Sequence, residues 1–196
     1  MFSNSSDFAI LILAAGKSSR LGQSKQLLSF NNESLLQIAV KKAMSLSSNV
    51  LVVLGHNAKK CINEISCFDV QYTVNDYYEE GMGSSLSFGI SQLKDAQKVL
   101  VMLCDMPLLP TSHLKTMLQK SHESKNMIIC SKYNKNLGVP CIFPKEYMKT
   151  LKNLKGHHGA KKLLKKDKYL SVELDDALAI DIDTKEDYYK LISYDH

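Results

Sequence analysis

Five short apolar runs, at residues 8–13, 50–54, 70–74, 99–104 and 127–130, recur through the first two thirds of the chain, and the segments between them carry apolar residues at helical spacing. Several of the runs are continuous rather than alternating, as expected of strands covered on both faces. Their alternation with helical segments predicts βαβ units and a mainly parallel sheet. Helices are expected over 34–46, 58–65, 84–93 and 111–121, with Ser84 and Thr111 as N-caps. Pro107 and Pro110 mark the loop between the fourth strand and its helix.

After Leu137 the pattern changes to short extended pieces at 139–143, 170–174 and 178–182, set around a Lys-rich helical stretch. Thr184 is placed to cap a last helix over 185–194, whose Tyr188, Leu191 and Ile192 share one face. With 196 residues and 44% hydrophobic content the chain suits a single α/β domain, 1–196, in which 137–183 is a subregion. The expected architecture is three-layered, with helices on both faces of the sheet.

Charge and cysteines narrow the picture. The formal charge of +5 is modest and much of it lies near the C-terminus, which favours anionic small molecules over nucleic acid as partners. The five cysteines are odd in number and form no C-x-x-C pair, so they read as reduced core residues of a cytosolic protein. Residues 1–7 lack the basic start of a signal peptide, and no apolar run approaches the roughly 20 residues that span a bilayer. A cytoplasmic protein without membrane contact is expected.

The densest chemistry follows the first strand. In Leu13-Ala-Ala-Gly-Lys-Ser-Ser-Arg20-Leu-Gly22-Gln-Ser-Lys25, two glycines let backbone approach a ligand, and Lys17, Arg20 and Lys25 bring charge for phosphate oxygens. It is not a Walker loop, since Gly22 is followed by Gln23 and Ser24 before Lys25, and it lacks the three close glycines of a dinucleotide site. Asp105 lies just past the carboxyl end of the fourth strand, the edge of an open α/β sheet where ligands bind. A carboxylate there wants solvent, a partner or a hard cation, and Mg²⁺ beside a triphosphate is the preferred reading.

Asp181 and Asp183 sit on alternate positions of an expected strand, so both face one side, and Asp183 is the preferred second metal ligand. Both acids are equally readable as decoration of the last helix's start. The segment Gly81-Met-Gly-Ser-Ser85 offers hydroxyls and free N–H groups at a helix start. His157, His158, Lys161, Lys162, Lys165 and Lys166 form two basic stripes, either a solvated face or a docking surface for an anion. No Ser-His-Asp order stands out, and Cys104 reads as packing rather than as a nucleophile.

Taken together, the loop from Leu13 to Lys25, Gly81-Met-Gly-Ser-Ser-Leu86 with Gly89, Leu103-Cys-Asp105-Met-Pro107 and Asp181-Ile-Asp-Thr184 resemble the MobA/MocA nucleotidyltransferase family, closest to its molybdenum cofactor cytidylyltransferase branch. The resemblance implies a nucleotide-diphospho-sugar transferase fold of the GT-A type, related to the doubly wound sheets. It implies that Leu13, Ala14, Ala15, Gly16, Lys17 and Ser18 wrap a nucleoside triphosphate, that Arg20 and Lys25 bind its phosphates, and that Asp105 binds Mg²⁺. Gly81, Met82 and Ser85 are similar to a segment lining the base and acceptor side. Ala14-Ala15 points to CTP, because guanylyl-transferring members typically carry Gly after the first Ala.

The implied reaction moves CMP from CTP to the terminal phosphate of molybdopterin with Lys25, Arg20 and Asp105 as catalytic residues, and serves a molybdenum hydroxylase apoenzyme. Transfer to another phosphorylated acceptor, GTP as donor, and a non-catalytic cofactor-delivery protein are the alternatives. One departure touches the acceptor: members often show Gly-Asp-x-Gly-Ala where this chain has Gly156-His-His-Gly159-Ala160.

Overall fold

The computed structural model describes residues 7–156, 159–164 and 168–194. Its centre is a seven-stranded sheet built from β1 (Phe8–Ala14), β4 (Val50–Leu54), β5 (Gln71–Val74), β6 (Lys98–Leu103), β7 (Ile128–Tyr133), β8 (Asn136–Pro144) and β9 (Tyr169–Glu173). The order is β5-β4-β1-β6-β8-β7-β9, and β8 alone runs against its neighbours. A separate two-stranded hairpin joins β2 (Ser29–Phe30) to β3 (Glu33–Ser34).

Successive residues of β1 feed opposite faces. Ile10, Ile12 and Ala14 pack with the helices α1 (Leu35–Met44), α2 (Ala58–Ile65) and α4 (Thr111–Glu123). Ala9, Leu11 and Leu13 pack with α3 (Met82–Gln92), α5 (Met148–Lys152) and the short α6 (Lys161–Leu164). This is why β1 reads as an unbroken apolar run, and it yields the expected three layers of a mostly parallel α/β fold. Close approach of α3 requires Gly89, where a Cβ would lie 2.7 Å from both Leu11 and Val53.

A third small core decides where the functional loops go. Leu21 from the cationic loop, Leu28, Leu35, Ile182 and Leu191 bury one another, with Leu191 coming from α7 (Lys185–Ser193). Tyr188 of α7 adds a hydrogen bond from its hydroxyl to the Ser29 carbonyl at 2.8 Å. The C-terminal helix therefore clamps the segment that carries Lys25 against the segment that carries Asp183.

Local corrections have plain physical reasons. Ser34, not a helical residue itself, caps α1 through a capping box with Gln37. Thr184 caps α7 as expected, reciprocally with Asp187. Ser84 does not cap α3: the helix begins two residues earlier behind Gly81, whose φ of 113° only glycine adopts readily. Thr111 is the first residue of α4 and Pro110 holds the cap position. Residues 178–182 form no strand; a short 3-10 turn at Asp176–Leu178 leads into irregular chain. The two hairpins β2–β3 and β7–β8 turn on Asn31-Asn32 and Asn134-Lys135, all with positive φ, the geometry of two-residue type I′ turns.

Cys61, Cys104, Cys130 and Cys141 are buried free thiols, while Cys67 is free but exposed. Among the described residues no helix is long and apolar enough to cross a membrane.

Candidate active site

Two adjoining cavities open at the carboxyl ends of β1 and β6. The first, of ≈ 390 Å³, lies under the loop after β1 and is walled by Ala15, Gly16 and Lys17 on one side and by Tyr78, Gly81 and Met82 on the other. The second, of ≈ 360 Å³, runs toward the β7–β8 hairpin and is lined by Tyr133, Gly138, Val139 and Cys141, with Gly159 and Asp181 across from them. Both share Lys25, Met82, Leu103 and Asp105. Lys25 and Asp105 thus stand at the junction of one continuous cleft.

Most of the residues singled out in sequence converge here. Leu13, Ser85 and the loop residues Ala15, Gly16 and Lys17 line the first cavity with Gly81 and Met82. Ala14 does not; its side chain belongs to the opposite core, and its carbonyl is held from below. Ser18 stands behind the cavity in left-handed backbone, φ 55°, and its Oγ accepts from the Lys25 N–H at 3.2 Å. Arg20 is largely exposed at the mouth, 4.0 Å from Asp183. Asp183 lines the second cavity.

Lys25 is the electrostatic centre. Its ammonium donates to Asp105 and, at 2.8 Å, to Asp183 Oδ1. Burial disfavours the charged lysine, but the adjacent Asp105 and Asp183 carboxylates outweigh it and hold its pKa above the usual lysine value. Asp105 is almost fully buried, and its Oδ1 has no hydrogen-bond partner among the described residues. The acidic pair survives the loss of its expected strand for a simple reason. Ile182 between the two acids is driven into the third core, and its N–H donates to the Asp105 carbonyl at 3.0 Å. Asp181 and Asp183 are left on the cleft side, where both line the second cavity.

Three supporting residues escaped the sequence reading. Gln26 is fully buried, and its side-chain amide donates to the carbonyls of Ala14 and Gly16, both at 2.8 Å, fixing the entry and first turn of the loop. Asn75 is buried beneath α3 and donates to Ser84 Oγ at 3.2 Å and Ser85 Oγ at 3.1 Å. Gly55 passes so close to the cavity wall that a Cβ would sit 2.7 Å from Tyr78 and 2.8 Å from the Ala15 carbonyl. A polar residue directly after Lys25 of the cationic loop and a glycine directly after an apolar run were the available signals. Lys42 of α1 donates to the Pro107 carbonyl beside Asp105, and burial lowers its pKa to about 8.

Cys104 is buried and its thiol is pushed up chiefly by burial, then by Asp105, which leaves it inert as a nucleophile. His157, His158, Lys165 and Lys166 lie outside the described residues; Lys161 and Lys162 fall on α6.

An ammonium and two acids at the junction of a loop-walled cavity and a second cavity suit phosphate transfer between two bound molecules. Residues 10–172 match the MobA-like NTP transferase domain. The chain belongs to the MobA-like NTP transferase family. Its relatives include the purine catabolism protein PucB of Bacillus subtilis, 28% identical over 91% of this chain and 92% of that one. The fold is shared with Rv0371c of Mycobacterium tuberculosis, TM-score 0.85 at 24% identity over 95% of this chain and 97% of that one, a protein also solved in complex with manganese. It is shared too with CMP:2-keto-3-deoxy-manno-octonic acid synthetase complexed with CTP, TM-score 0.78 at 13% identity over 96% and 98%.

Within this MobA-like domain Gly55 lies against Tyr78 and the Ala15 carbonyl, two residues that wall the first cavity. Gly55→Ala is expected to cost about 1–3 kcal/mol of stability, because backbone and the root of a side chain, not a flexible tip, must move. Urea unfolding reads that loss, and an unchanged midpoint would contradict it.

Proposed function

We propose that this MobA-like transferase moves CMP from CTP to the terminal phosphate of molybdopterin, releasing pyrophosphate. The observation that carries the reading is the sharing of Lys25 and Asp105 by the two cavities. A donor in the first and an acceptor in the second would meet at those two side chains. Ala14-Ala15 favours cytosine over guanine, and the CTP complex of the structurally similar synthetase is consistent with that donor.

The residues fit a divalent cation. Asp105 offers a buried carboxylate oxygen that has no hydrogen-bond partner among the described residues, and Asp183 a second hard oxygen donor beside it. Among the described residues no third acid, His or Cys completes a cluster, so phosphate oxygens and water would fill the remaining positions. When bound, Mg²⁺ would neutralise charge on the triphosphate. The manganese complex of Rv0371c is consistent with such an ion.

The chain's own groups supply the rest. Gln26 holds the loop rigid, so its walls bind the triphosphate without reorganising. Lys25, released toward the α-phosphate, balances charge as the acceptor oxygen bonds to phosphorus and the bond to the bridging oxygen breaks. Arg20, at the mouth, balances the pyrophosphate that departs. A phosphate monoester is already largely ionised at neutral pH, so no general base is needed.

The test is pyrophosphate release from CTP, GTP and ATP, each with and without molybdopterin. Release confined to CTP with molybdopterin is the expected result. Equal release from GTP would overturn the donor, release with a different phosphorylated acceptor would overturn the acceptor, and CTP binding without turnover would make this a cofactor-delivery protein.

A further inference from the structure

The free site holds its own cation. Two carboxylates that repel each other, Asp105 and Asp183, are bridged by the Lys25 ammonium, which contacts Asp105 Oδ2 and lies 2.8 Å from Asp183 Oδ1. The lysine side chain is only 16% exposed, so it is set into the gap rather than lying over it. Arg20 adds a second positive charge 4.0 Å from the other Asp183 oxygen. A divalent cation seeking the same oxygens meets like charge at contact distance beside the buried Asp105.

Lys25 has another place to go. It lines both cavities, its four-carbon stem is flexible, and three N–H donors let it exchange one anion for another. Asp183 is half exposed and Asp105 Oδ1 has no hydrogen-bond partner among the described residues, so losing the ammonium would uncover two oxygens ready to ligate. Phosphates entering the first cavity would offer the ammonium a more highly charged partner.

We propose that Lys25 is an exchangeable counter-ion that fills the gap between Asp105 and Asp183 in the free protein, so that a divalent cation is admitted only together with a nucleoside triphosphate. The inference rests on the donor-site reading above and adds to it a coupling between two ligands. By linkage the coupling is reciprocal: the cation must tighten nucleotide binding by the same factor by which nucleotide tightens the cation.

The experiment titrates Mn²⁺ into the full chain and follows the free aquo ion by electron paramagnetic resonance, with and without α,β-methylene-CTP, for wild type and Lys25→Met. With the Mn²⁺ taken up by the analogue alone subtracted, wild type is expected to bind Mn²⁺ at least 10-fold more weakly without the analogue than with it. Lys25→Met is expected to bind Mn²⁺ at least 10-fold more tightly than wild type when no analogue is present. Equal nucleotide-free affinity in the two proteins overturns the counter-ion role while leaving the donor site standing. Failure of wild type to bind Mn²⁺ even with the analogue overturns both. Should Lys25→Met not fold, ¹⁵N-lysine spectra of wild type decide: Mg²⁺ alone must leave the Lys25 signal in place and the analogue alone must move it, and the reverse pattern overturns the proposal.

Discussion

Asp105→Asn is expected to lower pyrophosphate release by at least about 10³-fold while the protein keeps its fold. Asn preserves the size of the side chain, so the packing at the end of β6 and the Ile182 N–H bond to the residue's carbonyl remain. What disappears is the charge. Under the proposed function its Oδ1, without a hydrogen-bond partner among the described residues, would hold the divalent cation, and losing that charge would remove several kcal/mol of stabilisation from the transferring phosphate. An amide would also turn one of its N–H groups toward the Lys25 ammonium or leave it with a weaker acceptor. Lys25 keeps Asp183, which is why unfolding is not expected. Pyrophosphate release with CTP and molybdopterin measures the loss, and thermal melting checks the fold. Turnover within 10-fold of wild type would remove Asp105 from the chemistry.

The second large effect is structural. Phe143→Ala is expected to cost about 3–5 kcal/mol and to lower Tm by roughly 6–20 °C, the range for a buried aromatic in a domain of this size. Phe143 is fully buried on β8, pairs in register with Val99 of β6 and meets the Tyr147 ring edge-on at 6.4 Å. Phe143 belongs to the core cluster that also holds Val99, Cys141, Met148 and Leu151, so its loss leaves a cavity in an apolar layer. The second cavity is lined by the other end of the same strand, so the loss should also loosen the acceptor side. Calorimetry tests it; a shift below a few degrees would mean that β8 carries far less of the core than its burial implies.

The parallel half of the fold was readable because its causes are local. Short continuous apolar runs such as 8–13 and 50–54, ended by glycine or turn residues, read as strands covered twice, and helical spacing between them narrows the topology. The antiparallel β8 was less visible: its pairing with both β6 and β7 depends on a two-residue turn at Asn134-Lys135 that carries no glycine. The expected strand at 178–182 failed because its apolar residues serve a separate small core rather than a sheet face. Alternation still sent Ile182 inward and left Asp181 and Asp183 lining the second cavity, although the strand on which they were expected is absent.

The sequence by itself determined the α/β class, the cationic loop after the first strand and the carboxylate after the fourth, since each follows from residue types a few positions apart. Only the tertiary structure decided that Lys25 lies between Asp105 and Asp183, 80 and 158 positions away, and that Gln26 rather than a loop residue fixes the loop. The reason is physical: such contacts are set by Leu21, Ile182 and Leu191 burying one another, and hydrophobic burial has no direction and leaves no spacing in the chain.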